Sequence, residues 1–260
     1  MINRPTILCI AGHDPTGGAG IQADIETIND LGGHACSIIT ALTVQNSENL
    51  FSFEPVAAEL IHRQFLCLTE DFSIQAIKIG LIGSPSLVET LAGLLKSTPE
   101  IPVILDPVLA AGGGASVSGK TFIQQLKTDL LPLTSLITPN IPEAQQLSGQ
   151  STPDQCAESL LQLGCKNILI TGTHEDSNSV VNRLYTATAG QIALDGPRLP
   201  HEYHGSGCTL SSAISFYIAS GHSLTNSVKL AQEFTFNSLS HADKPGHGQL
   251  FPMRNQKKWP

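Results

Sequence analysis

Charge is scarce in this chain of 260 residues. Only 14% are charged, with 14 Lys or Arg against 22 Asp or Glu, a formal net charge of −8. A general nucleic-acid binder carries a basic surplus, so this balance argues against a nucleic-acid partner. Low charge beside 41% hydrophobic content also argues against disorder, which has the reverse signature. No apolar run reaches the ~18 residues of a membrane span. The N-terminal residues enter a strand-like run without the apolar region and cleavage site of a signal peptide. Six cysteines (Cys9, Cys36, Cys67, Cys156, Cys165, Cys208) are scattered with no CxxC pair and no metal-ligand spacing. This pattern predicts free thiols in a cytoplasmic protein and no structural zinc. Repeats, low-complexity tracts and linkers are also lacking, so we expect one domain over 1–260. Single α/β domains reach about 250 residues, and that length buries a large core.

What is present is an alternation of short apolar runs and longer amphipathic ones. Strands are expected at 6–11, 35–41, 75–80, 102–106, 135–138, 167–171, 180–187 and 190–194. Helices are expected at 18–31, 57–70, 85–96, 119–130, 141–147, 154–163, 208–220 and 224–240. Alternation of this kind predicts βαβ units and a mostly parallel sheet with helices on both faces. Runs such as Val103-Ile-Leu105 are apolar without alternation, as a doubly covered sheet requires. Residues 180–194 read as a hairpin that adds antiparallel strands at one edge. The tail from about Asp243 reads as irregular.

Ligands of open parallel sheets bind at the carboxyl ends of the strands, so chemistry is sought there. The Gly-rich segment Ala11–Gly20 joins the first strand to a helix, where backbone N–H groups can approach an anion. It lacks the G-x-G-x-x-G spacing, and a tight turn with close packing explains it equally. Gly205-Ser-Gly-Cys208 opens a late helix. Its glycines make a nest of N–H donors suited to phosphate or developing negative charge, and a thiol in that field should ionise more readily than a free one. Pro139-Asn140-Ile-Pro-Glu143 opens another helix. A carboxylate there suits a hydrated Mg²⁺ on nucleotide phosphates, while the same residues also spell a capping box. Gly114-Ala-Ser-Val-Ser-Gly119-Lys120-Thr121 satisfies the P-loop pattern. It starts too far beyond the strand ending near Asp106, and no metal-binding Asp follows it. The simpler reading is a Gly/Ser loop with Ser118 as helix N-cap. His13, His174 and His204 are isolated, and Glu175 and Asp176 fall in a polar loop.

Taken in order, six segments resemble the hydroxymethylpyrimidine/phosphomethylpyrimidine kinases, a ribokinase-like branch. They are Ala11–Asp24, Ile39–Asn46, Ile77–Leu81, Leu105–Val108, Thr138–Ala144 and His204–Ser211. The resemblance extends from about residue 6 to 240. It implies ATP-dependent phosphorylation of 4-amino-5-hydroxymethyl-2-methylpyrimidine, then of its monophosphate, with Mg²⁺ and in a homodimer. By motif, Asp24 and Gln45 would hydrogen-bond the aminopyrimidine, consistent with their donor and acceptor groups. Gly12, Leu81 and Val108 would shape the pocket, with Leu81 replacing a common Met. Asn140 and Glu143 would organise Mg²⁺ and phosphates, Glu143 through water, and Ser206 and Thr171 would lie along the phosphates. Gly205, Gly207 and Cys208 would form the anion hole, with Cys208 as the base.

The chain departs from the family at two places. Relatives commonly carry Lys-Gly-Gly-His after the strand at 167–170, where this chain has Thr171-Gly172-Thr173-His174. The loop 110–121 differs too, and Lys120 is the candidate substitute cation. Three other readings compete: pyridoxal kinase activity on the same scaffold, a P-loop kinase, and a non-catalytic pyrimidine-binding module.

Overall fold

The computed structural model describes residues 4–111, 115–116, 119–173, 178–186 and 190–255. A nine-stranded sheet runs through it in the order β11-β10-β9-β8-β5-β4-β1-β2-β3. The strands are β1 Thr6–His13, β2 His34–Gln45, β3 Leu50–Pro55, β4 Ala76–Ile79, β5 Val103–Leu105, β8 Leu136–Ile137, β9 Asn167–Ile170, β10 Ser179–Thr186 and β11 Gly190–Pro197; a separate ribbon pairs β6 Ala110–Ala111 with β7 Ala115–Ser116. Pairing is parallel from β2 through β1, β4, β5 and β8 to β9. Both edges are antiparallel: β9-β10-β11 on one side and β2-β3 on the other. The second antiparallel edge was not expected. Within β3 only Leu50 is buried, so the strand has no apolar face to betray it.

Among the described residues, eight helices cover the sheet: α1 Gly20–Leu31, α2 Ala58–Asp71, α3 Pro85–Lys96, α4 Lys120–Gln125, α5 Ile141–Ser148, α6 Pro153–Gln162, α7 Ser206–Ala219 and α8 Leu224–Ser240. Alternation along β1 sorts the two cores. Ile7, Cys9 and Ala11 pack with Ile21, Ile28, Ala213, Ile214 and Val228, so α1, α7 and α8 cover one face. Leu8 and Ile10 pack with Ile61, Phe65, Leu91, Leu126, Leu147 and Leu160, so α2 to α6 cover the other. Each fully buried side chain of this kind stabilises by about 1.5–3 kcal/mol relative to exposure.

The expected helix 119–130 is only half α. Beyond Gln125 the chain continues as a π turn, Leu126–Leu130, and a 3₁₀ turn, Leu131–Leu133, where Pro132 prevents a longer helix. The helix opens on Gly119 with no side-chain cap, and Ser118 lies outside the described residues. The expected irregular tail is anchored as far as Arg254. Leu250 bridges Tyr203 and Phe251 bridges Asp243. All six cysteines are free. Among the described residues, no helix is long and apolar enough to cross a membrane.

Candidate active site

A cleft of about 1060 Å³ follows the carboxyl ends of the parallel strands and the N-terminus of α7. It gathers Gly12, Gln45, Leu81, Val108, Asn140, Glu143, Thr171, Gly205, Ser206, Gly207 and Cys208. These residues are scattered over nearly 200 positions of sequence, and the topology brings them to one edge.

At one end, Gly12 and Leu81 are fitted to each other. A Cβ on Gly12 would lie 2.8 Å from Leu81 Cδ2, so a larger residue would push Leu81 into the cleft. Gln45 is held from behind. Its Nε2 donates to Thr43 Oγ1 at 2.8 Å, and that hydroxyl donates to the His13 carbonyl at 2.8 Å. Val108 follows the end of β5 in a turn closed by its own N–H on the Asp106 carbonyl.

Asp24 does not join them. Its carboxylate is fully buried, with oxygens 2.8 and 3.0 Å from Lys78 Nζ and a further hydrogen bond from Ser212 Oγ at 2.7 Å. It does not line the cleft, so the structure does not bring it to the position of the expected aminopyrimidine contact. The motif preserved the residue, but its charge is spent on Lys78. The sequence offered a signal: Lys78 interrupts the apolar run Ala76-Ile-Lys-Ile79, and a Lys at the centre of a doubly covered sheet must be paired.

At the centre, α7 points its first N–H groups into the cleft. Gly205 is the N-cap, with φ 79° and no side-chain cap. Any Cβ there would collide with the Gly18 carbonyl, so the left-handed glycine lets two loops meet. The first N–H groups of a helix lack internal partners and remain available to an anion. Cys208 sits in this first turn, but its thiol does not ionise easily. Burial raises it most, to about 11, with Asp106 and Asp24 adding to the rise; Lys78 and the Gly20 N–H pull only part of the way back. The expectation of a readily ionised thiol is corrected on that ground.

Beyond α7, Asn140 and Glu143 form a complete capping box. Glu143 N–H donates to Asn140 Oδ1 and Asn140 N–H donates to Glu143 Oε2, both at 2.9 Å. Both still line the cleft. Burial, helped by the Asp106 carboxylate, pushes the Glu143 carboxyl up to about 8. Asp106 is itself raised, chiefly by burial, with Lys78 opposing. No three metal-ligating side chains converge among the described residues. Thr171 bridges Asn140 in parallel register. In the loop that lacks the usual Lys, Arg198 Nη1 donates to the Thr173 carbonyl at 2.8 Å, which places a cation beside it. Lys120 is exposed at the start of α4 and does not line the cleft. Gly114, Val117 and Ser118 of the P-loop pattern lie outside the described residues, as do His174, Glu175 and Asp176.

Three residues assigned no role in the sequence hold the Gly-rich loop. Asp14 Oδ1 accepts from Thr16 N–H and hydroxyl, and Oδ2 accepts from Ala19 N–H. His204 Nε2 lies 2.7 Å from the same Oδ2. Arg254 donates to Thr209 Oγ1 and to the carbonyls of Gly17 and Gly18. His204 and Arg254 act across more than 180 positions, so no local pattern announces them.

The phosphomethylpyrimidine kinase family profile matches residues 14–253. The chain belongs to this family. A hydroxymethylpyrimidine/phosphomethylpyrimidine kinase of Haemophilus influenzae is 37% identical over 258 residues, covering 95% of this chain and 96% of that one. A phosphomethylpyrimidine kinase structure from Clostridium difficile superposes with a TM-score of 0.79 at 34% identity, covering 91% of this chain and all of that one. An ADP complex of Bacillus subtilis pyridoxal kinase superposes with a TM-score of 0.88 at 28% identity, covering 97% and 98%. The ribokinase-like kinase fold expected of the phosphomethylpyrimidine kinases is thus present, with Gln45, Leu81 and Val108 at one end of its cleft and Cys208 at its centre.

Proposed function

We propose that this kinase phosphorylates the hydroxymethyl group of 4-amino-5-hydroxymethyl-2-methylpyrimidine with ATP, and then its monophosphate, in thiamine biosynthesis. The observation that carries this reading is the meeting, in one cleft, of the Gln45–Leu81–Val108 wall with Cys208 at the open N-terminus of α7. The Gln45 amide donates to and accepts from the aminopyrimidine edge, and Gly12, Leu81 and Val108 sandwich the ring. Cys208, as thiolate, takes the hydroxyl proton. N–H groups of the Gly205–Cys208 turn stabilise charge on the phosphoryl group in flight. The nucleoside lies at the far end, between the β10–β11 hairpin and α8, beside Val180, Leu194 and Phe236. Mg²⁺ on the nucleotide phosphates would neutralise developing charge. Asn140 and Glu143 would hold it through water, and the raised Glu143 carboxyl, pushed up by burial and by Asp106, supports a cation there.

The test is a product assay with Mg-ATP and the hydroxymethylpyrimidine that separates mono- from diphosphate. Appearance of neither, with no ADP released, would leave the binding-module reading. The superposition on pyridoxal kinase favours pyridoxal as a second acceptor, and side-by-side kcat/KM values rank the two. We also propose a cytoplasmic homodimer. Six scattered cysteines without a CxxC pair support the compartment, and exposed Leu42, Val44 and Phe51 on the β2–β3 hairpin support self-association.

A further inference from the structure

Beneath the first turns of α7 lies a buried charged layer that the proposed reaction leaves without a task. Lys78 stands in the middle of β4 at 0% exposure, between Ile77 and Ile79. Both its contacts to Asp24 are close, at 2.8 and 3.0 Å. Asp24 is tied in turn to α7 by Ser212 Oγ at 2.7 Å, and Asp106 is tied to α7 by Ser211 Oγ at 3.3 Å. Residues three and four apart share one face of a helix, so Cys208, Ser211 and Ser212 face this layer together. Lys78 also reaches the wall of the cleft that Cys208 lines.

A buried ion pair is often no more stabilising than apolar residues of equal volume, so stability alone does not account for a Lys here. We infer that Lys78 is a positioning residue for the Cys208 thiol: gripped by Asp24, it supplies the fixed positive charge that meets the thiolate. This rests on the assignment of Cys208 as base. In the step it supports, Cys208 first loses its proton to water. The thiolate then takes the hydroxymethyl proton while the substrate oxygen bonds to the γ-phosphorus. The bond to the leaving ADP oxygen breaks, and its electron pair goes to ADP. The thiol sheds its proton to water for the next turnover.

Charged and titratable groups reach the thiol or its neighbours from several elements. Asp24 comes from α1, Lys78 from β4, Asp106 from the end of β5, Glu143 from α5 beside Asp106, and Cys9 from β1 near Asp24. Arg254 binds Thr209 on α7 and is paired with Glu26. Burial, Asp106 and Asp24 all raise the thiol, whereas Lys78 lowers it and outweighs Asp24.

The experiment titrates the thiolate of Cys208 by its ultraviolet absorbance without substrate, each protein being read against the same protein carrying Cys208→Ala. Variants are Lys78→Met, and Lys78→Met with Asp24→Asn, which removes both charges and strands neither should the single variant fail to fold. In Lys78→Met the midpoint should rise by about one pH unit, leaving about tenfold less thiolate at a pH below it. In the double variant it should rise by less, and kcat should fall with KM for the pyrimidine unchanged. A midpoint unmoved or lowered in the folded double variant overturns the inference, because a merely structural Lys78 would change melting and not the midpoint. Failure of the base assignment shows separately, as full turnover in Cys208→Ala.

Discussion

His204 Nε2 lies 2.7 Å from Asp14 Oδ2 across 190 positions of sequence, and the pair joins the two loops that frame the cleft. Asp14 is 3% exposed and its other bonds shape the Gly-rich turn. Burial works to raise its carboxyl, but the bonds from His204 and Thr16 prevail and hold it below the ordinary value. A carboxyl depressed in the fold stabilises above its unfolded value and loses that contribution as pH falls through the folded one. Asp14→Asn should therefore cost about 1–3 kcal/mol in urea unfolding at neutral pH. The difference from wild type should shrink below about pH 4. An equal gap at pH 7 and in acid would refute the pairing as its source.

Gln45 makes a second case, because its amide is held in place by Thr43. Gln45→Leu keeps the volume and removes the donor and acceptor. With the pyrimidine as substrate, kcat/KM should fall between about fivefold and about 150-fold, the equivalent of about 1–3 kcal/mol. Asp24→Asn should not raise KM in this way, since Asp24 does not line the cleft. A larger KM effect from Asp24→Asn than from Gln45→Leu would reverse the two assignments.

The contrast between these residues shows what was legible in the sequence. Both sit in family motifs and both have fitting chemistry, and only burial tells them apart. The parallel strands were readable because burial on both faces leaves continuous apolar runs such as Val103-Ile-Leu105. β3 was not, because all its residues but Leu50 are at least partly exposed, Phe51 at 65% among them. Cys208 stands at a helix N-terminus, as its glycine pattern implies, yet its thiol is raised and not lowered. Helix position is local, whereas Asp106 and Asp24 arrive from other elements. Lys78 had a visible signal in its apolar strand, and Arg254 had none, because its partners Gly17, Gly18 and Thr209 are distant in sequence.

Lys120 completes a P-loop pattern but is exposed and absent from the cleft lining. Lys120→Ala should leave nucleotide binding within about twofold of wild type, since surface substitutions away from such contacts usually stay within about 0.5 kcal/mol. Isothermal titration with Mg-ATP decides this, and abolished binding would restore the P-loop reading.

Glu143 supplies a pH signature. Burial pushes its folded carboxyl up to about 8, above the ordinary 4.5. Between those values the folded protein keeps a proton that the unfolded chain has lost. That proton's stabilisation is fully present below the unfolded value and fades as pH climbs through the folded one. A cation drawn to the carboxylate must expel the proton. Adding Mg-ATP at pH 7 should release up to about one proton, measured as a heat that varies with buffer ionisation enthalpy. The release should vanish in Glu143→Gln. Persistence of the full release in that variant would place the proton elsewhere.

Cys208 gives the kinetic counterpart. A thiol raised to about 11 is almost wholly protonated at neutral pH. If the thiolate is the base, the active fraction grows about tenfold for each pH unit below that value. The wild-type kcat/KM should therefore climb steadily from pH 7 to about pH 9, more steeply than Glu143 alone can make it. Cys208→Ala should lower kcat by about 10² to 10⁴ with an unchanged melting temperature, and should lose this part of the slope. Cys208→Ser should behave similarly, because a hydroxyl ionises still less readily than the thiol. A Cys208→Ala enzyme that keeps wild-type turnover, or the wild-type slope on a reduced rate, would mean that the proton leaves by another route. In that case the first turn of α7 serves the phosphoryl group through its N–H donors alone.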